Sequence, residues 1–313
     1  MIIRNKLFVF IVFMLPNIYF GQEIEIGNET VLPNTICIDT NALNQFQFIN
    51  FDENYFQFPS VMSPNWNLFY QNLDSMILCK DRKMQFYHIG GSHIQADIYT
   101  HDFRNFIQSN WPGLRGERGL VFPFNLAKTN NPSNYRFTST NSWDGYRSVI
   151  HRPKFIHYGI TGAAISCTDS LIELKFKHKK TRVTPPIHAM RIYHNRGLIP
   201  YEFNFGDDEI LIQSVRRCAD KGYTEIRFTD PIESIDMQLA RVSKKSFRLD
   251  LYGFELLNDL PGISYNSIGI NGAGLYTYLD NDNFLRDLKL SPPDYFAFSV
   301  GTNDAFVPYK DFK

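Results

Sequence analysis

Two short segments of this chain end an apolar run in a glycine-containing turn that carries a polar side chain suited to acyl chemistry. The first is Tyr87-His88-Ile89-Gly90-Gly91-Ser92-His93-Ile94-Gln95-Ala96-Asp97, and the second is Val300-Gly301-Thr302-Asn303-Asp304. The runs ahead of the turns, Met84 to Ile89 and Tyr295 to Val300, have the length and bounding signals of buried parallel-sheet strands. Open α/β sheets bind their ligands beyond the carboxyl ends of the strands. A serine there can attack an acyl carbonyl, and an asparagine amide can donate to the oxyanion that forms. Taken alone, Ser92 reads as a helix N-cap, the commoner role of serine at the start of a helix.

A third segment, Ser267-Ile268-Gly269-Ile270-Asn271-Gly272-Ala273, lies between the other two. In this order the three resemble blocks one, two and three of the SGNH (GDSL-type) hydrolases, a family of esterases and lipases. The resemblance implies Ser92 as nucleophile, with Gly272 and Asn303 in the oxyanion hole. The longer signature around Ser92, followed by Gly116-Glu117-Arg118-Gly119-Leu120-Val121-Phe122-Pro123, is similar to exported carbohydrate-ester hydrolases of the peptidoglycan O-acetylesterase type. Those carry a β-sandwich inserted in the SGNH domain. The resemblance covers roughly residues 64 to 313. It implies an exported serine esterase that removes O-acetyl groups from a glycan or peptidoglycan and uses no cofactor. A non-catalytic glycan-binding protein on a degenerate scaffold is the alternative. An acetyltransferase is a third reading, because the same serine can pass an acyl group to a sugar.

The chain departs from the family pattern twice. Gly91 stands where an Asp usually precedes the nucleophile and shapes its turn. The last block, Asp-x-x-His, supplies the base, yet the histidines are His88, His93, His101, His151, His157, His178, His188 and His194, and none follows Asn303. His93 is a sequence neighbour that diverges from Ser92, and His88 sits in a strand. The spacing of His88, His93 and His101 matches no zinc signature, so no metal is expected. A triad lacking one member keeps roughly 10³–10⁴-fold catalysis over water. The expectation is therefore a chain nearly inert as an esterase, with the apolar edge strand Tyr295 to Val300 open to aggregation.

The elements that must hold these turns follow from periodicity. Ser63-Pro64 opens a helix, with Trp66, Phe69, Tyr70, Leu73 and Ile77 at helical spacing. A helix follows Ser92, placing its backbone N–H and the helix dipole toward a developing oxyanion. Strict alternation marks half-buried strands at Ile172, Leu174 and Phe176, at Ile235, Met237 and Leu239, and at Phe247, Leu249 and Leu251. Ile263 to Ile268 returns to strand character, and Asp282 to Leu290 reads as a short helix before Pro292-Pro293. The expected fold class is α/β, a flavodoxin-like three-layer parallel sheet, C-terminally incomplete, with an inserted all-β sandwich. The expected division is a signal peptide over 1–21, a lead-in over 22–62, SGNH parts over 63–143 and 259–313, and a carbohydrate-binding-module-like sandwich over 144–258.

Bulk numbers limit the partners. The 32 basic and 32 acidic residues cancel, which argues against nucleic acid, whose backbone is bound by a basic surface. Hydrophobic residues make up 43% of the 313, as in ordinary globular proteins. The aromatic share of 15% fits core packing, with sugar-stacking platforms as the sharper reading. Arg4 and Lys6 ahead of Leu7 to Leu15 read as a signal peptide with cleavage near Gly21, too short for a membrane span. No cysteine lies near that point, so no membrane anchor is expected, and the protein is placed in the periplasm or outside the cell. Cys37, Cys79, Cys167 and Cys218 permit disulfides or buried free thiols, with all three pairings open.

Overall fold

The computed structural model describes residues 24–26, 29–31, 64–109, 113–150, 153–179, 183–245 and 247–306. The signal peptide expected over 1–21 and most of the lead-in lie outside them. The chain divides into two units, with the boundary at Tyr70 and Gln71. In the first unit, β1 (Ile24–Ile26) pairs antiparallel with β2 (Glu29–Val31). Helix α1 (Pro64–Cys79) begins there, and its Trp66, Phe69 and Tyr70 rings pack on one another within a single turn.

Among the described residues, the second unit holds three sheets. Strand β3 (Lys83–Gly90) lies between β15 (Gly262–Gly269) and β16 (Tyr295–Ser299), and both pairs are parallel. Helices α2 (Ser92–Ala96) and α3 (Tyr99–Ser109) follow β3. The other strands are antiparallel: β4 (Gly119–Val121), β5 (Tyr135–Thr138), β6 (Asp144–Arg147), β7 (Ala163–Cys167), β8 (Leu171–His178), β9 (Ile187–His194), β10 (Tyr201–Asn204), β11 (Ile212–Cys218), β12 (Tyr223–Ile232), β13 (Ser234–Arg241) and β14 (Leu249–Leu257). They form a four-stranded sheet, β10-β13-β8-β5, and a seven-stranded one, β11-β12-β9-β14-β7-β6 with β4 on β14. Helix α4 (Phe284–Leu290) connects β15 to β16.

Period-two patterning builds the sandwich. Ile172, Leu174 and Phe176 of β8 and Ile235, Met237 and Leu239 of β13 turn inward, onto Ile165, Met190, Ile226, Leu251 and Phe254 of the larger sheet. Lys175, Lys177 and Asp236 face water. The central strands of the larger sheet are covered on both faces, and β14 is buried along nearly its whole length, while the edge strand β11 is largely exposed. On the sheet's second face, Tyr193, Tyr223 and Tyr252 join Tyr87 and Ile89 of β3 in a second core, against which Phe284 and Leu288 of α4 also pack. Each buried aromatic side chain of this kind brings about 150–250 Å² out of water, so this second core fastens the parallel sheet to the sandwich.

The architecture meets the expected fold class in part. The parallel sheet has three strands among the described residues, and most strands are antiparallel. The antiparallel sheets also take in β4 and β5, which lie ahead of residue 144. Residues 119–138 show no strand period in sequence because the strands are short and their partners are distant. No helix among the described residues is long and apolar enough to cross a membrane.

Cys79, Cys167 and Cys218 are free thiols. Cys167 and Cys218 sit on β7 and β11, four strand spacings apart in the larger sheet. That is roughly 19 Å at about 4.8 Å per strand, against the ~7 Å limit between bridged Cα atoms.

Three buried histidines set the acid behaviour. Burial lowers His88 and His194 to about 4 and His178 to about 3. The unfolded rings take up protons below about pH 6.5 while the folded ones stay neutral. The unfolded chain thus binds more protons between about pH 6.5 and 4, so stability falls as pH drops through that window. A melting temperature that stays flat from pH 7 to 4.5 would contradict this.

Candidate functional site

Register brings the three turns together. Gly90 of β3 pairs with Gly269 of β15 and Ser299 of β16, so all three strands end at one level. Gly90 is required there: a Cβ would overlap the Ile94 side chain and lie 2.7 Å from the Ser299 carbonyl oxygen. The Gly90 carbonyl accepts from Ile270 N at 3.2 Å and from the Tyr278 hydroxyl at 2.7 Å. This ties the turn after β15 to the end of the strand that leads to Ser92.

Ser92 is the first residue of α2 and is exposed. Helix α2 has only five residues, because Asp97 takes a left-handed backbone (φ 49°) before α3 begins. The sequence pattern predicts a helix after Ser92 and marks no break at Asp97. Asp is among the few residues that tolerate this conformation. Its carboxylate is drawn into a buried pair with Arg104 and Arg118, both at 2.9 Å. A small cavity lined by Ile94, Asp97, Arg118 and Ser267 lies under α2, and Ser92 does not line it.

Gly272 is exposed with φ of 89°, a backbone that L side chains rarely adopt. Asn303 donates from Nδ2 to the Ala273 carbonyl at 2.9 Å, so the block-two and block-three turns are bonded directly. The next residue, Asp304, is buried and accepts Leu275 N at 3.0 Å. A Cβ at Gly91 would sit 3.3 Å from Asn303 Nδ2 and 3.6 Å from the Ala273 oxygen. With glycine at this position, the asparagine amide and the nucleophile turn come close together. The backbone N–H groups of Ser92 and Gly272 have no protein acceptor among the described residues. An amide nitrogen has two hydrogens, so Asn303 keeps one N–H beyond that given to Ala273.

The histidines are engaged elsewhere. His88 is buried, with Nε2 2.6 Å from Ser299 Oγ and Nδ1 on the Tyr265 hydroxyl. Tyr99 also bonds Ser299, and burial pushes its hydroxyl up to about 12. The His93 ring stacks on Tyr99, with centroids 6.2 Å apart at 18°, and burial lowers its pKa. His157 meets Asp282 at 2.7 Å on the surface, and His101 faces Asn105 and Arg104. No described histidine bonds Ser92; His151 lies outside the described residues. No group of three or more His, Cys, Asp or Glu able to hold a metal occurs among the described residues.

Sequence reading did not single out Gln95, Asp97 or Asp304 as structural ties. Their signal is slight: each is a polar residue inside a motif, and its partners lie far away in the chain.

No protein-family model matches the chain, and no curated protein matches it. Among solved structures, the chain is similar to one described as "Peptidoglycan O-acetylesterase in action, 5 min", with a TM-score of 0.58 and 18% identity. The likeness covers 76% of this chain and 62% of that one, so the chain spans less than two thirds of the esterase's length. At this identity the likeness is one of fold: mixed sheets with few helices, arranged as in a peptidoglycan O-acetylesterase.

Proposed function

We propose that the chain is an exported serine esterase of SGNH type that removes O-acetyl groups from a glycan or peptidoglycan. The observation that carries this reading is the convergence of an exposed Ser92, two backbone N–H groups without acceptors at Ser92 and Gly272, and the Asn303 amide where three parallel strands end. The likeness in fold to a peptidoglycan O-acetylesterase supports it. In this reading Ser92 Oγ attacks the acetyl carbonyl. The tetrahedral oxyanion is held by the two N–H groups and by Asn303, and the acetyl group passes through Ser92 to water. The all-β part is the inserted module and contacts the glycan. The protein works in the periplasm or outside the cell, without a cofactor.

The serine proton needs an acceptor, because serine is a weak nucleophile at neutral pH. None of the described histidines is bonded to Ser92, so turnover by this chain is slow. The same observation, with Asn303 already turned to Ala273, favours the second reading, a glycan-binding protein on a degenerate scaffold. Acetate release from O-acetylated peptidoglycan tests the choice. Asn303→Ala is expected to lower the rate about 10²–10³-fold, the effect of one oxyanion donor. Retained binding of the glycan, with acetate release no faster than in buffer, would support the second reading.

A further inference from the structure

We infer that Gln95 is a positioning residue that sets the Asn271–Gly272 turn against the helix bearing Ser92, an inference that rests on the esterase reading above. Gln95 is 1% exposed. Its Oε1 accepts Asn271 N at 2.7 Å, and its Nε2 donates to the Asn130 carbonyl at 2.7 Å and to Thr129 Oγ1 at 3.2 Å. Asn271 Nδ2 returns to the same Thr129 at 3.3 Å. One side chain, three residues after the nucleophile, thereby joins α2, the turn after β15 and the loop after β4.

The residue type fits the task. The clamp needs an acceptor for a backbone N–H and two donors for oxygens, and only an amide carries both on adjacent atoms at neutral pH. The Asn271 N–H lies one peptide ahead of the one that carries the Gly272 N–H, so its anchor restrains where the Gly272 N–H points. Gly269 packs directly on the Gln95 backbone nitrogen, which leaves the turn little room to adjust on its own. Displacing a catalytic donor by about 1 Å can lower a rate about 100-fold.

The experiment compares Gln95→Met and Gln95→Glu in the full chain, reading amide exchange at Asn271 and p-nitrophenyl acetate turnover with Ser92→Ala alongside. In Gln95→Met, protection of the Asn271 amide is expected to fall at least about tenfold. The kcat is expected to fall about 10- to 100-fold, with KM within about twofold. In Gln95→Glu the introduced carboxyl, when protonated, can both donate to Asn130 and accept from Asn271. Its kcat is therefore expected to recover as pH is lowered, where the parent profile does not rise. The pH arm decides the matter by itself should Gln95→Met lose its cooperative melt.

Unchanged Asn271 protection in Gln95→Met would overturn the clamp. Lost protection with unchanged kcat, or a Gln95→Glu profile parallel to the parent, would overturn the positioning role. Turnover independent of Ser92 would sink the esterase reading and the positioning role with it, while the exchange data would still show whether the clamp exists.

Discussion

Asp97→Ala is expected to destabilise the protein by about 3–5 kcal/mol, the typical effect of removing one partner from a buried ion pair. One Asp97 oxygen accepts Arg104 Nη2 at 2.9 Å, Thr100 Oγ1 at 2.6 Å and Ser267 Oγ at 2.7 Å. The other accepts Arg118 Nη2 at 2.9 Å, Asn134 Nδ2 at 2.8 Å and Arg104 Nη1 at 3.2 Å. The carboxylate and both guanidiniums are nearly fully buried. Removing the acid leaves two like charges in the interior with no counter-charge. For a unit of this size the loss corresponds to a fall in melting temperature of roughly 6–20 °C. Asp97→Asn keeps an acceptor oxygen, and its loss is expected to be smaller. Arg104 and Arg118 also hold the Asp97 carboxyl well below the usual carboxylate range. The unfolded carboxyl protonates near pH 4, so the stability Asp97 contributes is fully present above about pH 4 and drains away as pH falls through its folded value. A melting temperature within about 2 °C of the parent for Asp97→Ala would show that the network is not as described.

The second large effect concerns the proton acceptor for Ser92, to which no described histidine is bonded. Hydrolysis of p-nitrophenyl acetate by the full chain is expected to be slow and to depend on Ser92. If the site lacks only a proton acceptor, imidazole added to solution should supply one. The expected result is that the rate of the parent minus that of Ser92→Ala rises with imidazole concentration, by about tenfold or more. General-base assistance is commonly worth about 10²–10⁴-fold when the base is held in place, and a diffusing base recovers only part of that. Ser92→Ala itself follows the imidazole background, which makes the difference the meaningful quantity. A difference of zero at every concentration would remove Ser92 from the chemistry.

The strands that alternate cleanly were legible in sequence. Ile172-Leu174-Phe176 and Ile235-Met237-Leu239 repeat a period of two, and water on one face of the sheet preserves that contrast. Strand β14 is legible at its start from Phe247, Leu249 and Leu251, but it is not half-buried as expected, because both its faces are covered: Leu251 and Phe254 meet the sandwich core while Tyr252 meets the second core. Strands β4 and β5 have three and four residues, too few for a period, and only their distant partners give them a register. The break after Ala96 was invisible because Asp97 is held in its left-handed conformation by Arg104 and Arg118, and no local pattern encodes those contacts. At the candidate site, the glycine-bounded strand ends pointed to Ser92 and Asn303, and Gly272 came from the family resemblance of residues 267–273. The ties that arrange them, Asn303 to Ala273, Asp304 to Leu275 and Gln95 to Asn271, cross 29 to 176 residues of chain and depend on the register of the parallel sheet.

The most direct test of the account is covalent labelling of the full chain with a small fluorophosphonate, read by intact mass and then by peptide mapping. The account predicts a single adduct on Ser92, formed slowly and accelerated by imidazole, and absent from Ser92→Ala. No adduct on a folded chain, or an equal adduct on Ser92→Ala, would contradict a nucleophilic Ser92.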